Sequence, residues 1–221
     1  MILIKPAHSL TIHKPCKMAI LPHIDLNDND IPKRADLKKF SNLTHHFLLP
    51  SPSMPDERFA DALIYICRHS TDGAWGFMIN KPLGASVGGL LHELDLPASQ
   101  KAMNTPAMHG GFIRPEAGFV LHTGLPEFAS SFAVGENVCI TTSKDVLSLI
   151  SGDSLPHFLL CMGFCNWTAG QLEQEISEQD WLVCPADLEI LFRAKFEDRL
   201  MLAYDKLGID PDKFTLTTGF A

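Results

Sequence analysis

The sequence predicts an α+β fold with a largely antiparallel or mixed β-sheet, and three observations support that class. The chain has 221 residues, of which 46% are hydrophobic and 20% are charged, a balance typical of a globular protein with its own core. The predicted strands come first as a pair and are then mixed with short helices. The regular alternation of strands with long helices that marks a doubly wound fold is missing from the pattern.

The first two predicted strands form a hairpin. Residues 63–67 are rich in β-branched and aromatic side chains, which favour a strand. Residues 70–73 supply the turn, because glycine adopts the positive φ that a tight turn needs. The returning strand covers 75–79, and the sequence Asn80-Lys81-Pro82 ends it.

The remaining elements follow in chain order. Ser86 is predicted to cap one short helix and Ser143 another. Thr168 and Gln171 have the spacing of a capping box at the start of a third helix. Further strands are predicted at 119–122, 138–141, 158–162 and 181–184, a turn at 165–167, and helical segments at 187–192 and 197–207.

The composition changes near residue 43. Residues 1–42 contain four prolines and little hydrophobic periodicity, so they are predicted to form an N-terminal extension, either a tail or a loosely docked arm. Residues 43–221 are predicted to form the α+β domain. Met18 is a candidate for the true start, because the residues before it give no recognisable element.

Charge and composition argue against several functional classes. The formal net charge is −8, whereas non-specific nucleic-acid binding relies on a basic surface, so direct DNA binding is disfavoured. No apolar run reaches the ~20 residues of a membrane helix, and the first residues do not resemble a secretory signal. The six cysteines are too sparse for a disulfide scaffold. We therefore expect a soluble, cytoplasmic protein without a membrane association.

From residue 46 onward the sequence carries a series of short motifs. They are HFL at 46–48, YICRH at 65–69, GAWG at 73–76, INKP at 79–82, GG at 110–111, GFVLH at 118–122, TTSKDVL at 141–147, GQLE at 170–173 and PAD at 185–187. Their order and spacing resemble the YqgE/AlgH family of bacterial proteins. The resemblance implies a single compact α+β domain with a bulged sheet packed by several short helices. It also implies a protein often labelled a transcriptional regulator, for which no chemical activity is defined. Residues 1–42 have no counterpart in the typical member.

Cys67 and His69 are the first candidate functional pair. Residues two apart on a strand face the same side of the sheet, which would bring the thiol and the imidazole together. A nearby imidazolium lowers the pKa of a thiol and makes it a nucleophile. The pair therefore predicts either a reactive thiol or a buried cysteine beside a histidine that faces solvent.

Cys161, Cys165 and His157 form a second group of potential ligands. A structural zinc site needs four ligands, and only three are in view, so no metal site is predicted. A turn at Gly163 would allow a disulfide between the two cysteines. The sequence is compatible with that disulfide and with two free thiols.

The third group is a candidate ligand-binding site built from loops and a helix start. Glycines allow another group to approach the backbone, and the free N–H groups of a helix N-terminus bind anions. The alternative is a cap and a packed indole that only fix the turn. The group comprises Asn80, Lys81, Pro82, Gly110, Gly111, Trp167, Gln171 and Glu173.

The sequence discloses no reaction and no cofactor. We predict an accessory or regulatory protein that binds a protein partner or a small ligand and affects transcription, if at all, indirectly. One alternative is a redox-responsive or enzyme-like protein centred on Cys67. The other is a direct DNA-binding regulator, which the acidic charge and the lack of a helix-turn-helix pattern disfavour.

Overall fold

A computed structural model describes residues 2–3, 42–125 and 127–211. The strands in this part of the chain are β1 (Ile2–Leu3), β2 (His46–Pro50), β3 (Ile64–Ser70), β4 (Gly73–Met78), β5 (Pro82–Ser86), β6 (Pro106–His109), β7 (Ile113–His122), β8 (Ser131–Gly135), β9 (Val138–Thr141), β10 (Phe158–Thr168) and β11 (Trp181–Pro185). The helices are α1 (Val87–His92), α2 (Gln100–Asn104), α3 (Asp145–Ser151), α4 (Gln171–Ser177) and α5 (Arg199–Lys206), with a 3₁₀ turn at Glu57–Phe59 and a π-helix at Glu189–Arg193.

All of these strands belong to one curled sheet. The main order is β11-β2-β3-β4-β10-β7-β9-β8, while β1 pairs with β7, and β6 lies between β5 and β10. The pairings are antiparallel except that of β6 with β10. The register shifts between Ile66 and Arg68 in β3 and between Met162 and Phe164 in β10. The predicted single α+β domain with a bulged, largely antiparallel sheet is therefore confirmed.

Strand β10 organises the sheet because it pairs with three other strands. Its first half pairs with β6 and β7, and its second half pairs with β4. Gly163 separates the halves with a φ of +70°, a left-handed conformation that favours glycine. The predicted turn at 165–167 is wrong, because these residues continue the strand, with Trp167 opposite Ala74. Residues 165–168 pair with Gly73–Gly76 of β4, on the edge of β4 that β3 does not use. In a turn, these backbone groups would lack those hydrogen-bond partners.

The starts of two helices differ from the prediction. Ser143 does not cap α3: the residue before that helix is Lys144, which makes no side-chain cap. Helix α4 begins at Gln171, after Gly170 with a φ of +75°. Only the reverse half of the capping box forms there, because the Gln171 amide oxygen accepts from Thr168 N at 3.0 Å. Ser86 does cap α1 as predicted, accepting from Gly89 N at 3.1 Å.

The predictions for the N-terminal extension lie outside the described residues, apart from residues 2–3 and 42. Ile2–Leu3 pair antiparallel with Gly118 and Ala117 of β7. Met18, the candidate start, lies outside the described residues, although the residues before it include the strand β1. Within the described ranges, no helix has both the length and the apolar character needed to cross a bilayer.

Candidate ligand-binding site

A cleft of about 450 Å³ opens at the start of β10, where α2 and β6 face the segment that joins the π-helix to α5. Its volume lies within the ~300–1,000 Å³ range of small-molecule sites. Three phenylalanine rings and one histidine form much of its wall, and three cationic side chains reach it. These side chains belong to Phe158, Phe192, Phe196, His157, Lys101, Lys195 and Arg199.

Arg199 is the unusual side chain of this cleft, because it is only 4% exposed. Its Nε donates to the Ala194 carbonyl at 3.3 Å, and its Nη1 donates to the Ile79 carbonyl. Among the described residues, no carboxylate lies within ion-pairing distance of it. Burial lowers the pKa of Arg199 to about 10, which still leaves it charged at neutral pH. A buried charge without a counter-ion is unfavourable, so an anion bound beside Arg199 would be stabilised.

The opposite wall is built around Phe158 and Lys101. Lys101 Nζ lies 5.8 Å from the centroid of the Phe158 ring and forms an ion pair with Asp153 at 3.2 Å. It also donates to the carbonyls of Leu155 and Pro156, at 3.3 and 3.1 Å. Asp153 and two carbonyls therefore hold Lys101 in place and balance most of its charge. The charge of Arg199 has no such carboxylate partner among the described residues.

The π-helix shapes the third side of the cleft. The Ala194 N–H donates to the Glu189 carbonyl at 2.8 Å, a bond that spans five residues instead of four. The wider turn places Phe192 and Ala194 at the cleft, and the rings of Phe192 and His157 are 6.4 Å apart with an interplanar angle of 35°. Short π-helical segments are rare and occur often at functional sites.

The structure does not bring Cys67 and His69 together. Cys67 sits at the register shift of β3, and its side chain packs in the core cluster of Tyr65. His69 Nδ1 accepts from Leu43 N at 3.0 Å, and its Nε2 donates to Glu173 Oε1 at 3.0 Å. Because a bulge adds one residue, it reverses the alternation of faces and turns His69 away from the thiol. Burial also raises the pKa of Cys67 well above its usual range.

Cys161 and Cys165 are free, buried thiols that belong to different core clusters. Burial raises the pKa of each to about 12. His157 lies in the cleft described above. In the described part of the chain, no three side chains of the His, Cys, Asp or Glu type are grouped as metal ligands.

The third predicted group separates into two places along β10. Trp167 and Gln171 meet at Glu175: its Oε2 accepts from Trp167 Nε1 at 2.8 Å and from Trp181 Nε1 at 2.8 Å, and its Oε1 accepts from Gln171 Nε2 at 2.9 Å. Glu173 instead contacts His69. This end of the molecule is a packed hydrogen-bond network around the start of α4.

Gly110 and Gly111, two other members of that group, pack closely against the middle of β10. The Gly110 carbonyl accepts from Met78 N at 2.8 Å, and a Cβ on Gly110 would lie 2.9 Å from that of Cys161. A Cβ on Gly111 would overlap the main chain of Phe164. The glycines therefore serve close packing of the strands.

Asn80, Lys81 and Pro82 link β4 to β5 beside those glycines. Asn80 Oδ1 accepts from Leu63 N at 2.7 Å, and its Nδ2 donates to the Asp61 carbonyl at 2.8 Å. The Lys81 carbonyl accepts from His109 N at 2.7 Å. The polar groups of these residues are thus used to hold the loop.

Nothing in the sequence indicated a buried hydrogen-bond network that joins one imidazole to two hydroxyl groups. His122 Nε2 bonds to Thr141 Oγ1 at 2.8 Å, and Thr141 Oγ1 bonds to Ser131 Oγ. His122 and Thr141 are 1% and 0% exposed, and none of the three lines the cleft. The network therefore satisfies the hydrogen bonds of buried polar groups, and it lies away from the cleft that a ligand could reach.

Arg199 was missed because its sequence position gives no sign of burial. It lies inside the helical segment predicted at 197–207, where an arginine normally faces solvent. Its two acceptors are the carbonyls of residues 79 and 194. The first of these contacts depends wholly on the tertiary fold.

Comparisons with known proteins place this architecture among related chains. The family model described as AlgH-like matches residues 47–212. A UPF0301 protein of Psychrobacter cryohalolentis is 51% identical over 184 residues, which are 82% of this chain and 98% of that protein. A UPF0301 protein of Vibrio cholerae is 38% identical over 186 residues, or 81% of this chain and 100% of that one.

Two solved structures share the fold. The solution structure of the AlgH protein from Pseudomonas aeruginosa superposes with a TM-score of 0.68 at 35% identity, covering 82% of this chain and 97% of that one. A crystal structure of a Corynebacterium diphtheriae protein has a TM-score of 0.58 at 18% identity, covering 73% and 87%. At that identity the second likeness concerns the fold alone.

Proposed function

This chain belongs to the AlgH-like family, and we propose that it is a cytosolic accessory or regulatory protein that acts by binding a small ligand in the cleft beside Arg199. The observation that carries this proposal is the buried guanidinium of Arg199, which lines an open cleft without a carboxylate partner among the described residues. Strands β6 and β10 form one side of the cleft, and the π-helix and the start of α5 form the other, so regular elements frame a preformed binding site.

Ligand binding also fits the chemistry of the rest of the molecule. The nucleophilic side chains that the sequence singled out are buried or already hydrogen-bonded, so they offer no support for a reaction. The net charge of −8 disfavours direct contact with DNA. Any effect on transcription would then be indirect, through a ligand-dependent state of this protein.

The experiment is a screen of small metabolites by thermal shift, with binders confirmed by native mass spectrometry. Ala194→Trp fills the cleft with a large ring, and Ala60→Trp places the same ring at an exposed position outside it. We expect binders to raise the melting temperature of the wild type and of Ala60→Trp but not of Ala194→Trp. Binders that stabilise all three proteins equally would contradict the proposal, because their site would lie elsewhere.

A further inference from the structure

We infer that the cleft takes a small aromatic oxyanion, a carboxylate or phosphate group carried on a planar ring, with the oxyanion bound by Arg199. This inference rests on the proposed function and names the class of ligand for the same cleft. It follows from unused hydrogen-bond donors, from the charges at the rim and from the rings that line the wall.

The guanidinium of Arg199 has donors to spare. A guanidinium carries five N–H groups in a fixed plane. In the described structure, one N–H goes to the Ala194 carbonyl and one to the Ile79 carbonyl. The remaining three have no protein acceptor among the described residues. Carboxylates and phosphates are the groups whose geometry matches such a donor set.

The charges around the cleft favour an anion. Lys195 lines the cleft and has no ion-pair partner among the described residues. Glu197 also lines it, and its charge attracts Arg199 from beyond ion-pairing distance. Lys101 is already paired with Asp153. Two free cations therefore face one carboxylate, a local excess of positive charge on a protein whose net charge is −8.

The wall of the cleft fits a planar apolar group. Phe192 and Phe196 are partly exposed and belong to the segment that precedes Arg199. Rings of this kind pack against a flat ring by offset stacking or edge-to-face contact. A volume of about 450 Å³ accommodates one substituted ring with its anionic group.

Isothermal titration calorimetry with phenyl phosphate and benzoate tests the inference, and benzyl alcohol serves as the neutral analogue. We expect at least one of the two anions to bind the wild type, with an affinity that falls as salt is raised, and benzyl alcohol to bind at least tenfold more weakly. The stronger of the two identifies the preferred oxyanion. Arg199→Lys should weaken binding by about tenfold or more, because lysine lacks the planar donor pair.

Variants of the two exposed charges at the cleft, Lys195 and Glu197, test the electrostatic part of the inference. Lys195→Gln should weaken anion binding and Glu197→Gln should strengthen it, each by about two- to fivefold, as expected for exposed charges. Lys144→Gln, an exposed lysine outside the cleft, should change nothing. Circular dichroism confirms that each variant is folded.

The outcomes separate this inference from the proposed function. Failure of both anions to bind, or binding that neither Ala194→Trp nor the charge variants alter, would overturn the oxyanion assignment. If the anions fail while a neutral metabolite binds the wild type but not Ala194→Trp, the proposed function stands and the ligand class is wrong. Opposite effects of Lys195→Gln and Glu197→Gln would support the assignment directly.

Discussion

The Arg199 guanidinium donates a hydrogen bond to the carbonyl oxygen of Ile79, which lies 120 positions earlier in the chain. The bond fastens the start of α5 to the end of β4, and it fixes one side of the cleft. Because the guanidinium uses only part of its donor set in this bond, one side chain can both hold the fold and present donors to a ligand.

Arg199→Met should therefore destabilise the protein by about 1–3 kcal/mol, the range for a buried acceptor that loses its partner. The substitution also removes the desolvation penalty of a buried charge, and methionine fills a similar volume, so part of this cost is offset. Urea unfolding followed by tryptophan fluorescence measures the effect. An unchanged unfolding midpoint would show that the Ile79 contact contributes nothing to stability.

Two adjacent glycines in α1 are predicted to respond in opposite directions to alanine. A Cβ on Gly88 would lie 2.8 Å from Met103 Cα, so Gly88→Ala must push α1 away from α2 and should cost about 1–3 kcal/mol. A Cβ on Gly89 would meet only Ser86 Oγ, at 3.4 Å. Gly89→Ala should stabilise the helix by up to about 1 kcal/mol. Thermal unfolding of the pair measures both, and equal shifts would contradict the packing described for α1 and α2.

The carboxylate of Glu175 is expected to support the packing of both indoles. Glu175→Ala leaves the N–H groups of Trp167 and Trp181 without their acceptor, and these residues are 4% and 3% exposed. We expect a loss of about 2–4 kcal/mol in unfolding free energy, since each unsatisfied buried donor costs roughly 1–3 kcal/mol. Glu175→Gln should cost less, because the amide oxygen still accepts.

The matched control for that prediction is Glu178→Ala, an exposed glutamate at the end of the same helix. It should change the stability by less than about 0.5 kcal/mol. Chemical denaturation of the three variants compares them directly. A Glu175→Ala protein as stable as Glu178→Ala would show that the shared carboxylate is dispensable.

The buried thiols should remain unreactive across neutral pH. Burial raises the pKa of Cys161 and Cys165 to about 12 and that of Cys67 well above its usual range. A raised pKa leaves very little thiolate at neutral pH, whereas a free cysteine titrates near pH 8.5. Brief iodoacetamide treatment at pH 7–9, followed by peptide mass spectrometry, should give little adduct at these three residues. Rapid labelling of Cys67 at pH 7 would instead revive the redox-responsive alternative.

Local patterns predicted much of the fold. The cap at Ser86 and the strand Val138–Thr141 depend on neighbouring residues and lie where the sequence indicates. The predicted hairpin also forms, but β3 extends to Ser70 and β4 begins at Gly73, which shortens the predicted turn. The face of His69 was not predictable in that way, since it depends on a bulge that the alternation of side chains does not reveal. Partner strands decide such bulges, and no local pattern encodes them.

The candidate site was less predictable than the fold. The sequence singled out His157 for a different reason and gave no signal for Arg199. The cleft gathers side chains from α2, β10, the π-helix and α5, which are distant in the sequence. Burial of Arg199 depends on a contact across 120 positions. Only the tertiary arrangement shows that this arginine lies inside a cleft.

Amide chemical-shift mapping of the wild type, with whichever of phenyl phosphate and benzoate binds more tightly, tests the central claim most directly. We predict that saturable shifts concentrate in residues 105–108, 157–159 and 192–199, the segments that line the cleft, and that Ala194→Trp abolishes them. Shifts confined to the start of α4, at residues 170–173, or spread evenly over the surface would contradict the assignment of the cleft as the binding site.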